Sequence, residues 1–424
     1  MKQSKLFGKT LREAPKDEVS ANAILLSRAG FIHKLMAGVY SYLPLGFRVL
    51  DKIKNIVREE MNALGGQEIL MPALTPKELW QETGRWEKLK EIMFQFAGAG
   101  DQAVGLAATH EEVLVNIVRR YLSSYRDLPL YLYQIQDKFR NEPRAKSGLL
   151  RGREFSMKDL YSFHENQADL DNFYQQAIGA YQKVFERCGL ISIVTEASGG
   201  AFTTEYSHEF QVATPYGEDE IMVCSGCGFA QNREICAFND GAKCPSCAKA
   251  KLAQTKSIEV GNIFKLGTIY SKPMQLTFTG ADGKEKEVIM GCYGLGPSRV
   301  MGSVAEVHHD KDGLIWPKEI TPFHAHLLLL DNKQAGAADK LYRELTFASA
   351  KGGSASGRGW EILFDERVES SGAKLKDADL IGISLQLIIG AKSAGAVEYR
   401  FRDKSENGKV NFSEVDQLLK KFYR

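Results

Sequence analysis

A change of texture near Pro322 constrains the fold of this chain more than any other feature. After WPKEITPF, short apolar runs and amphipathic stretches take turns: AHLLLLD, a helical stretch across 334–349, WEILFD, a helix near 374–380, LQLIIG, VEYRFRD and a terminal helix from Ser413. That alternation predicts a compact α/β module. Before Pro322 the pattern differs. Phe47, Leu50, Ile53, Ile56, Val57, Met61 and Leu64 recur at helical spacing and are stopped by Gly65 and Gly66, and QEILMP then reads as a short strand halted at Pro72. LYLYQIQDKFRNE and REFSMKDLYSF read as two strands of a hairpin turned at SGL (147–149), residues 165–188 have helical period, and IEVGNIFKLGTIYS and EVIMGCYGLG read as further strands. Many strands crossed by helices without regular alternation indicate an α+β domain. A length of 424 residues suits this division into residues 1–321 and 322–424. KGGSASGRG at 351–359 reads as a flexible connector rather than a phosphate cradle, since no strand-to-helix context surrounds it. No internal repeat is visible.

Several function classes are excluded by composition. With 55 basic against 53 acidic residues, a polyanion would have to be met by a local patch rather than a global field. No run reaches the apolar length of a membrane span; HLLLL at 326–330 reads as a buried strand. The opening MKQSKLFGKTLREAPKDEV lacks a hydrophobic stretch and carries Glu13, Asp17 and Glu18, so a cytoplasmic location is the default expectation.

Local patches do exist. Residues 139–159, FRNEPRAKSGLLRGREFSMKD, hold six cationic side chains beside Glu142, Glu154 and Asp159. Arg140 and Glu142, two apart, would share one face of a strand, as would Arg151 and Arg153 on the return. Guanidinium forks suit phosphates and carboxylates, but for this segment alone a solvated cross-strand ion-pair ladder is the plainer reading. GCYGLGPSR (291–299) ends a strand with Gly291, Gly294 and Gly296, which let backbone approach a ligand, and delivers Arg299. The seven cysteines include CSGC (224–227) and CPSC (244–247), giving C-x2-C-x16-C-x2-C. Cys224, Cys227, Cys244 and Cys247 thus have the spacing of a four-thiolate zinc ribbon, with uncoordinated thiols as the alternative. Cys236 reads as a bystander, and Cys188 and Cys292 as buried.

Taken in order, the helix-strand unit ending at Pro72, the FRNE hairpin and GCYGLGPSR resemble the three signature motifs of class II aminoacyl-tRNA synthetases. The resemblance narrows to the prolyl-tRNA synthetase family on LPLGFRVLDKI, THE (109–111), GLLRGREFSMKDLYSFH, YSHEF (206–210), EVGNIFKLGTIYS, GCYGLG, HHDKDGLIWP and DLIGISLQLIIG, which cover nearly the whole chain. It implies a class II antiparallel-sheet catalytic domain, a zinc-ribbon-like insertion at 224–247 and an anticodon-binding module. The implied activity is ATP- and Mg²⁺-dependent activation of L-proline and transfer to tRNA(Pro) by a homodimer. By resemblance, Arg140 would meet the α-phosphate and the amino-acid carboxylate, Glu142 would sit by adenine, Phe155 would lie under it, and Arg151 and Arg299 would contact phosphates, with Gly294 and Gly296 in the ATP site. Thr109 and Glu111 would hold the secondary ammonium of proline, and His208 would line its pocket. Taken singly, Phe155 reads equally as core, His208 as a structural histidine, and Thr109 with Glu111 as a helix-capping pair. Asp365, Glu366, Arg367, Lys374, Lys376 and Asp379 fall where the family reads anticodon bases, and would otherwise be a solvated charge run. Arg144 and Lys146 would face the acceptor end or solvent. Two departures stand out: Pro297 in GLGPSR, and RAKSG at the hairpin tip. The short spacing between YSHEF and EVGNIFKLG leaves no room for the large editing domain of many bacterial members. The alternatives are a synthetase-like paralogue that binds RNA or a partner without catalysis, and a sister synthetase of another amino-acid specificity.

Overall fold

The helix expected from the apolar spacing forms over Pro44–Ala63, after a shorter one at Ala21–Arg28. Pro44 stands at the first helical position, where its missing N–H costs nothing, and Gly65 follows the last turn at φ +83°. Val49, Leu50, Ile53, Ile56, Val57 and Met61 are buried, whereas Phe47 is 59% exposed and so departs from the expected apolar face. The computed structural model of the chain describes every residue except 17, 144, 146, 201, 204, 348–358, 392, 394 and 424. The expected connector at 351–359 therefore lies outside the described residues but for Gly359, as do Arg144 and Lys146.

The chain divides into two compact units, one of Met1–Leu35, Tyr40–Lys52 and Val304–Arg424, the other of Met36–Val39 and Ile53–Ser303. The second unit holds a nine-stranded sheet in the order Ser207–Ala213, Ser192–Ala197, Ala230–Asn232, Asp219–Cys224, Leu252–Gly267, Ile289–Leu295, Glu154–His164, Leu130–Phe139, Gln67–Glu68. Its ladders are antiparallel apart from the Gln67–Glu68 edge and the single pair Gln231↔Glu196. Helix Gln167–Arg187, capped by the Asn166 side chain on the Asp169 N–H, buries Leu170, Phe173, Tyr174, Ala177, Tyr181, Val184 and Phe185. Its neighbours include Tyr293, Phe210 and Tyr131, which contact its aromatic side chains. On this face the strands present Ile263 and Tyr293; on the other they present Asn262, Phe264, Cys292 and Gly294.

The C-terminal module carries a five-stranded sheet in the order Ile362–Asp365, Ala325–Leu329, Leu385–Ile389, Ala396–Phe401, Asn407–Asn411. The first three strands are parallel neighbours and the last two antiparallel, with helices Ala335–Phe347, Ser371–Ile381 and Val415–Tyr423 between and after them. The chain's first residues join it. Lys2 bridges Phe364 in parallel, the Met1 ammonium donates to the Tyr342 hydroxyl and the Ile362 carbonyl, and Gln3 hydrogen-bonds the buried His326 at 2.8 Å. No described helix is long and apolar enough to cross a membrane.

Candidate active site

The hairpin of Leu130–Phe139 and Glu154–His164 pairs down to Phe139↔Glu154, and there the ladder ends. Arg140 N–H still donates to the Arg153 carbonyl at 2.8 Å, but Asn141 N–H turns to Ile92 and Glu142 N–H folds back to the Arg140 carbonyl at 2.8 Å. Arg140 with Glu142, and Arg151 with Arg153, thus lie beyond the strands and do not share strand faces as their spacing suggested. A tight turn followed by Pro143, which has no N–H to donate, ends the ladder instead.

A cavity of about 230 Å³ opens against the sheet face that presents Asn262, Cys292 and Gly294. Of the predicted residues, Thr109, Glu111, Arg140, Phe155, Gly294, Gly296 and Arg299 all line it. Glu142 and Arg151 line an adjoining recess that shares Arg140, Phe155 and Arg299 with it. Glu142 accepts from Arg151 Nε at 3.0 Å, so these two hold each other. The Arg140 guanidinium lies 5.3 Å from the Phe155 ring centroid and donates through Nε to the Ala108 carbonyl at 3.3 Å. Burial, with Arg299 adding to it, pulls the Arg140 pKa below its ordinary value. Two guanidinium groups lining one cavity, with Arg140 bonded by its side chain to a carbonyl rather than a carboxylate, favour an anionic ligand there. Arg299 donates to the Leu150 carbonyl at 2.8 Å and to the Glu259 carboxylate at 3.1 Å. Pro297 is the first residue of helix Pro297–Val307, so the departure at this position sets the start of the helix that carries Arg299.

The other wall is a buried ionic network. Glu111 and Glu112, both fully buried, begin helix Glu111–Val118. Its N-cap is His110, without a side-chain cap, so the capping reading of Thr109 fails. Thr109 Oγ1 instead donates to Glu111 at 2.5 Å, and Tyr161 donates to the same carboxylate at 3.2 Å. Asp159, also lining the cavity, accepts from the buried Lys138 at 2.7 Å and from Gln134 at 3.0 Å. Burial, then Lys138, pulls His110 down to about 4, so it is neutral near pH 7 and donates through Nε2 to the Pro72 carbonyl.

His208 is not brought into the cavity. It pairs with Ile263, the residue on the helix-facing side, and its Nδ1 hydrogen-bonds Tyr174 at 2.9 Å. Its neighbour Glu209 takes the other face, bonding Asn262 and Asn232. Gly291 also departs from expectation. A methyl there would lie 2.5 Å from the Tyr293 hydroxyl and 2.8 Å from Ser162 Oγ, so this glycine serves packing rather than a ligand. In the C-terminal module, Asp365 is fully buried and accepts two bonds from Arg367, while Lys374 is 1% exposed and donates to the Leu329 carbonyl at 2.6 Å. Glu366 accepts from Ser4 Oγ. Asp365 and Lys374 are thereby committed to the fold and do not present their charges for base reading. Sequence reasoning missed Phe202, Glu259, Asn262 and Asp159 as lining residues, and Cys292 proves both buried and cavity-lining. EVGNIF carried the signal for Glu259 and Asn262; Phe202 had none.

The four cysteines converge, as their spacing required. Their sulfurs all lie within 4.8 Å of one another, with Cys224–Cys247 at 3.8 Å and Cys227–Cys244 at 3.6 Å. Thiolates on one tetrahedral zinc, each at about 2.3 Å, stand about 3.8 Å apart. The donor set therefore fits that ion. Cys236 lies in the small core beside them but outside the group of four.

Residues 94–308 match the family model described as tRNA synthetase class II core domain (G, H, P, S and T), and residues 320–422 match the one described as anticodon binding domain. Fold and site are thus of the class II aminoacyl-tRNA synthetase kind. Among curated relatives, the proline–tRNA ligase of Sulfurihydrogenibium sp. (strain YO3AOP1) is 34% identical over 555 residues, covering 96% of each chain. That of Thermodesulfovibrio yellowstonii is 33% identical over 572 residues, covering 100% of both. The chain belongs to the prolyl-tRNA synthetase family. Those alignments exceed its 424 residues, so the relatives carry internal chain that it lacks. Two solved structures share the fold: Giardia lamblia prolyl-tRNA synthetase in complex with prolyl-adenylate (18% identity, TM-score 0.75, 93% of this chain and 75% of that one) and the Cryptosporidium parvum enzyme complexed with halofuginone and AMPPNP (15%, 0.75, 95% and 77%).

Proposed function

We propose that the protein activates L-proline with ATP and transfers the prolyl group to tRNA(Pro). The observation that carries this is the cavity itself, which sets two guanidinium groups, Arg140 and Arg299, opposite the buried carboxylates Glu111 and Asp159. An amino acid bridges such a pair of poles. Its ammonium meets Glu111 and Thr109, and its carboxylate turns toward Arg140, where the α-phosphate of ATP is held for in-line attack and pyrophosphate leaves. Positioning two anions and stabilising the charge that develops between them is the task, and fixed guanidinium groups perform it with little reorganisation. Phe155, stacked near Arg140, offers a ring for the adenine, with Glu142 and Arg151 in the adjoining recess. Glu259 offers oxygen donors in the cavity lining, with Glu209 beside it pushed up to about 7 by burial and then by Glu259. Such donors fit Mg²⁺, which when bound neutralises phosphate charge.

Residues 1–321 are assigned to catalysis, with 224–247 as a structural zinc ribbon, and 322–424 to the anticodon. A broad recess of about 870 Å³ along helix Ser371–Ile381, where Arg12, Arg28, Lys311, Arg367 and Lys376 alternate with Asp312, Glu369, Asp377 and Asp379, is the better candidate for the RNA than the buried Asp365 and Lys374. Homodimerisation through the segment ending at Pro72 suits Leu70 and Leu74, which are 77% and 53% exposed. A cytoplasmic location completes the reading. Proline-dependent exchange of pyrophosphate into ATP by the purified chain, run across the amino acids, tests it. Exchange with another amino acid would assign a sister specificity, and none at all would assign a non-catalytic paralogue.

A further inference from the structure

Behind Glu111, outside the cavity lining, sits a guanidinium group that no motif announced. Arg85 is 8% exposed and lies 5.7 Å from the Trp80 ring centroid, 5.4 Å from Phe202 and 5.2 Å from Tyr270. Through one nitrogen it reaches Glu111 at 3.2 Å and both oxygens of Glu112 at 3.1 Å. Glu112 is further held by Thr83 Oγ1 at 2.7 Å. One cation thus serves two fully buried carboxylates on consecutive residues. Of the other charged groups close by, Lys138 pairs with Asp159, His110 is neutral, and Arg140 is a further cation whose field reaches Glu111 from across the cavity lining. Tyr161, Tyr270 and Cys292 also face Glu111, and burial raises all three well above their ordinary pKa values, so they are neutral as well. The triad of Arg85, Glu111 and Glu112 by itself carries one surplus negative charge, and Glu111 is its cavity-lining member.

We propose that Arg85, braced by Glu112, is a positioning residue that fixes the Glu111 carboxylate and leaves the triad one positive charge short of neutrality, so that the ammonium of the amino-acid substrate completes it. The inference rests on the reading of Glu111 as the acceptor for that ammonium. Three features make Arg85 more than a structural ion pair. Its aromatic surroundings leave the guanidinium few alternative positions. It donates to the same Glu111 oxygen that Thr109 bonds, while Tyr161 donates to the other, so the carboxylate is held in one orientation from both ends. Burial pushes Glu112 upward in pKa, consistent with two carboxylates competing for one cation.

Removing Arg85 leaves two buried carboxylates with no cation, which then share a proton. In proline-dependent pyrophosphate exchange by the full-length chain, Arg85→Met is expected to raise KM for proline by about tenfold or more while KM for ATP stays within about twofold. The acid limb of kcat/KM for proline moves to higher pH, because the shared proton must leave before the ammonium binds. Arg85→Lys, which keeps the charge, restores part of the affinity and returns the acid limb toward its original position. Glu112→Gln keeps the shape and removes the surplus charge, so KM for proline also rises but the acid limb does not move upward. Titration calorimetry with proline alone checks the affinities without turnover. A folded Arg85→Met variant with unchanged proline KM and acid limb overturns the proposal, as does one that loses only kcat. If Arg85→Met does not fold, an unchanged proline KM in Glu112→Gln overturns it. Absence of proline-dependent exchange in the unaltered chain would instead defeat the functional reading on which the proposal rests.

Discussion

Two glycines of one motif should respond to the same substitution in opposite ways. Along Ile289–Leu295 successive residues alternate between the helix-facing side and the cavity, so Gly291 faces Leu170 while Gly294 faces the cavity. In Gly291→Ala the new methyl would lie 2.5 Å from the Tyr293 hydroxyl, 2.8 Å from Ser162 Oγ and 2.9 Å from Leu170 Cδ1. Those two hydroxyls are fully buried and bonded to each other at 3.0 Å. Forcing a methyl between them costs about 1–3 kcal/mol in overpacking and about 1–3 kcal/mol for the lost pair. The sum is roughly 2–6 kcal/mol, less up to about 1 kcal/mol recovered from the stiffer unfolded chain. With about 2–4 °C of Tm per kcal/mol for a unit of this size, the melting point should fall by at least about 2 °C. Gly294→Ala meets only the Asn262 carbonyl oxygen, at 3.6 Å, an ordinary contact. Its Tm should stay level or rise slightly, while pyrophosphate exchange falls about tenfold or more because the methyl stands on the cavity floor. Thermal melting and exchange kinetics on both variants separate the two roles. Equal melting points for Gly291→Ala and the unaltered chain, or full exchange by Gly294→Ala, would refute the division of the motif.

Metal analysis of the purified chain should find about one zinc per chain; Cys244→Ser should lose it and lower amide-exchange protection across residues 219–256, and a metal-free chain with full protection would refute the ribbon. Arg140→Ala should cut exchange about 10²–10³-fold with Tm nearly unchanged, since its only side-chain hydrogen bond among the described residues goes to the Ala108 carbonyl. Lys158 is fully buried against Tyr181 and the Tyr293 carbonyl, and burial pulls its ammonium down to about 7. Between about pH 7 and pH 10 the unfolded chain therefore binds the extra proton, and stability from this residue rises with pH by about 1.4 kcal/mol per unit. Urea melts at several pH values should show Lys158→Met losing that slope; a parallel slope in both proteins would show the lysine charged in the folded state.

Long periodic elements were legible in the sequence because period and burial are the same fact seen twice. Helix Gln167–Arg187 lies within residues 165–188, and the strands of the hairpin and of the C-terminal module fall where alternation and apolar runs placed them. The small sheet of Leu74–Pro76, Gln95–Ala97 and Ala103–Leu106 left no trace, since three- and four-residue strands are too short to show a period. The site was legible where order along the chain carried it, as for Thr109, Glu111, Arg140 and Arg299. It failed where face or depth decided. His208 and Glu209 are neighbours in sequence, and only the pairing of His208 with Ile263 turns the histidine away from the cavity.

Depth is the harder quantity, and the charged residues show why. Lys374 and Arg367 look alike in a sequence, each a cation near acidic neighbours. Lys374 ends inside the module because the Leu329 and Asp365 carbonyls stand where its ammonium reaches, 45 and 9 residues away along the chain. Arg367 lies between Asp365 and Asp377 and still borders the broad recess of the module. Arg85 carries the same lesson into the active site. It sits on a four-residue helix with no period and no motif, and its worth depends on Glu111 and Glu112, which the fold alone brings to it. A buried cation is specified by its acceptors, and these are specified by topology. Local sequence can therefore nominate residues such as Arg140 that meet a ligand directly, but not residues such as Arg85 that act through another side chain.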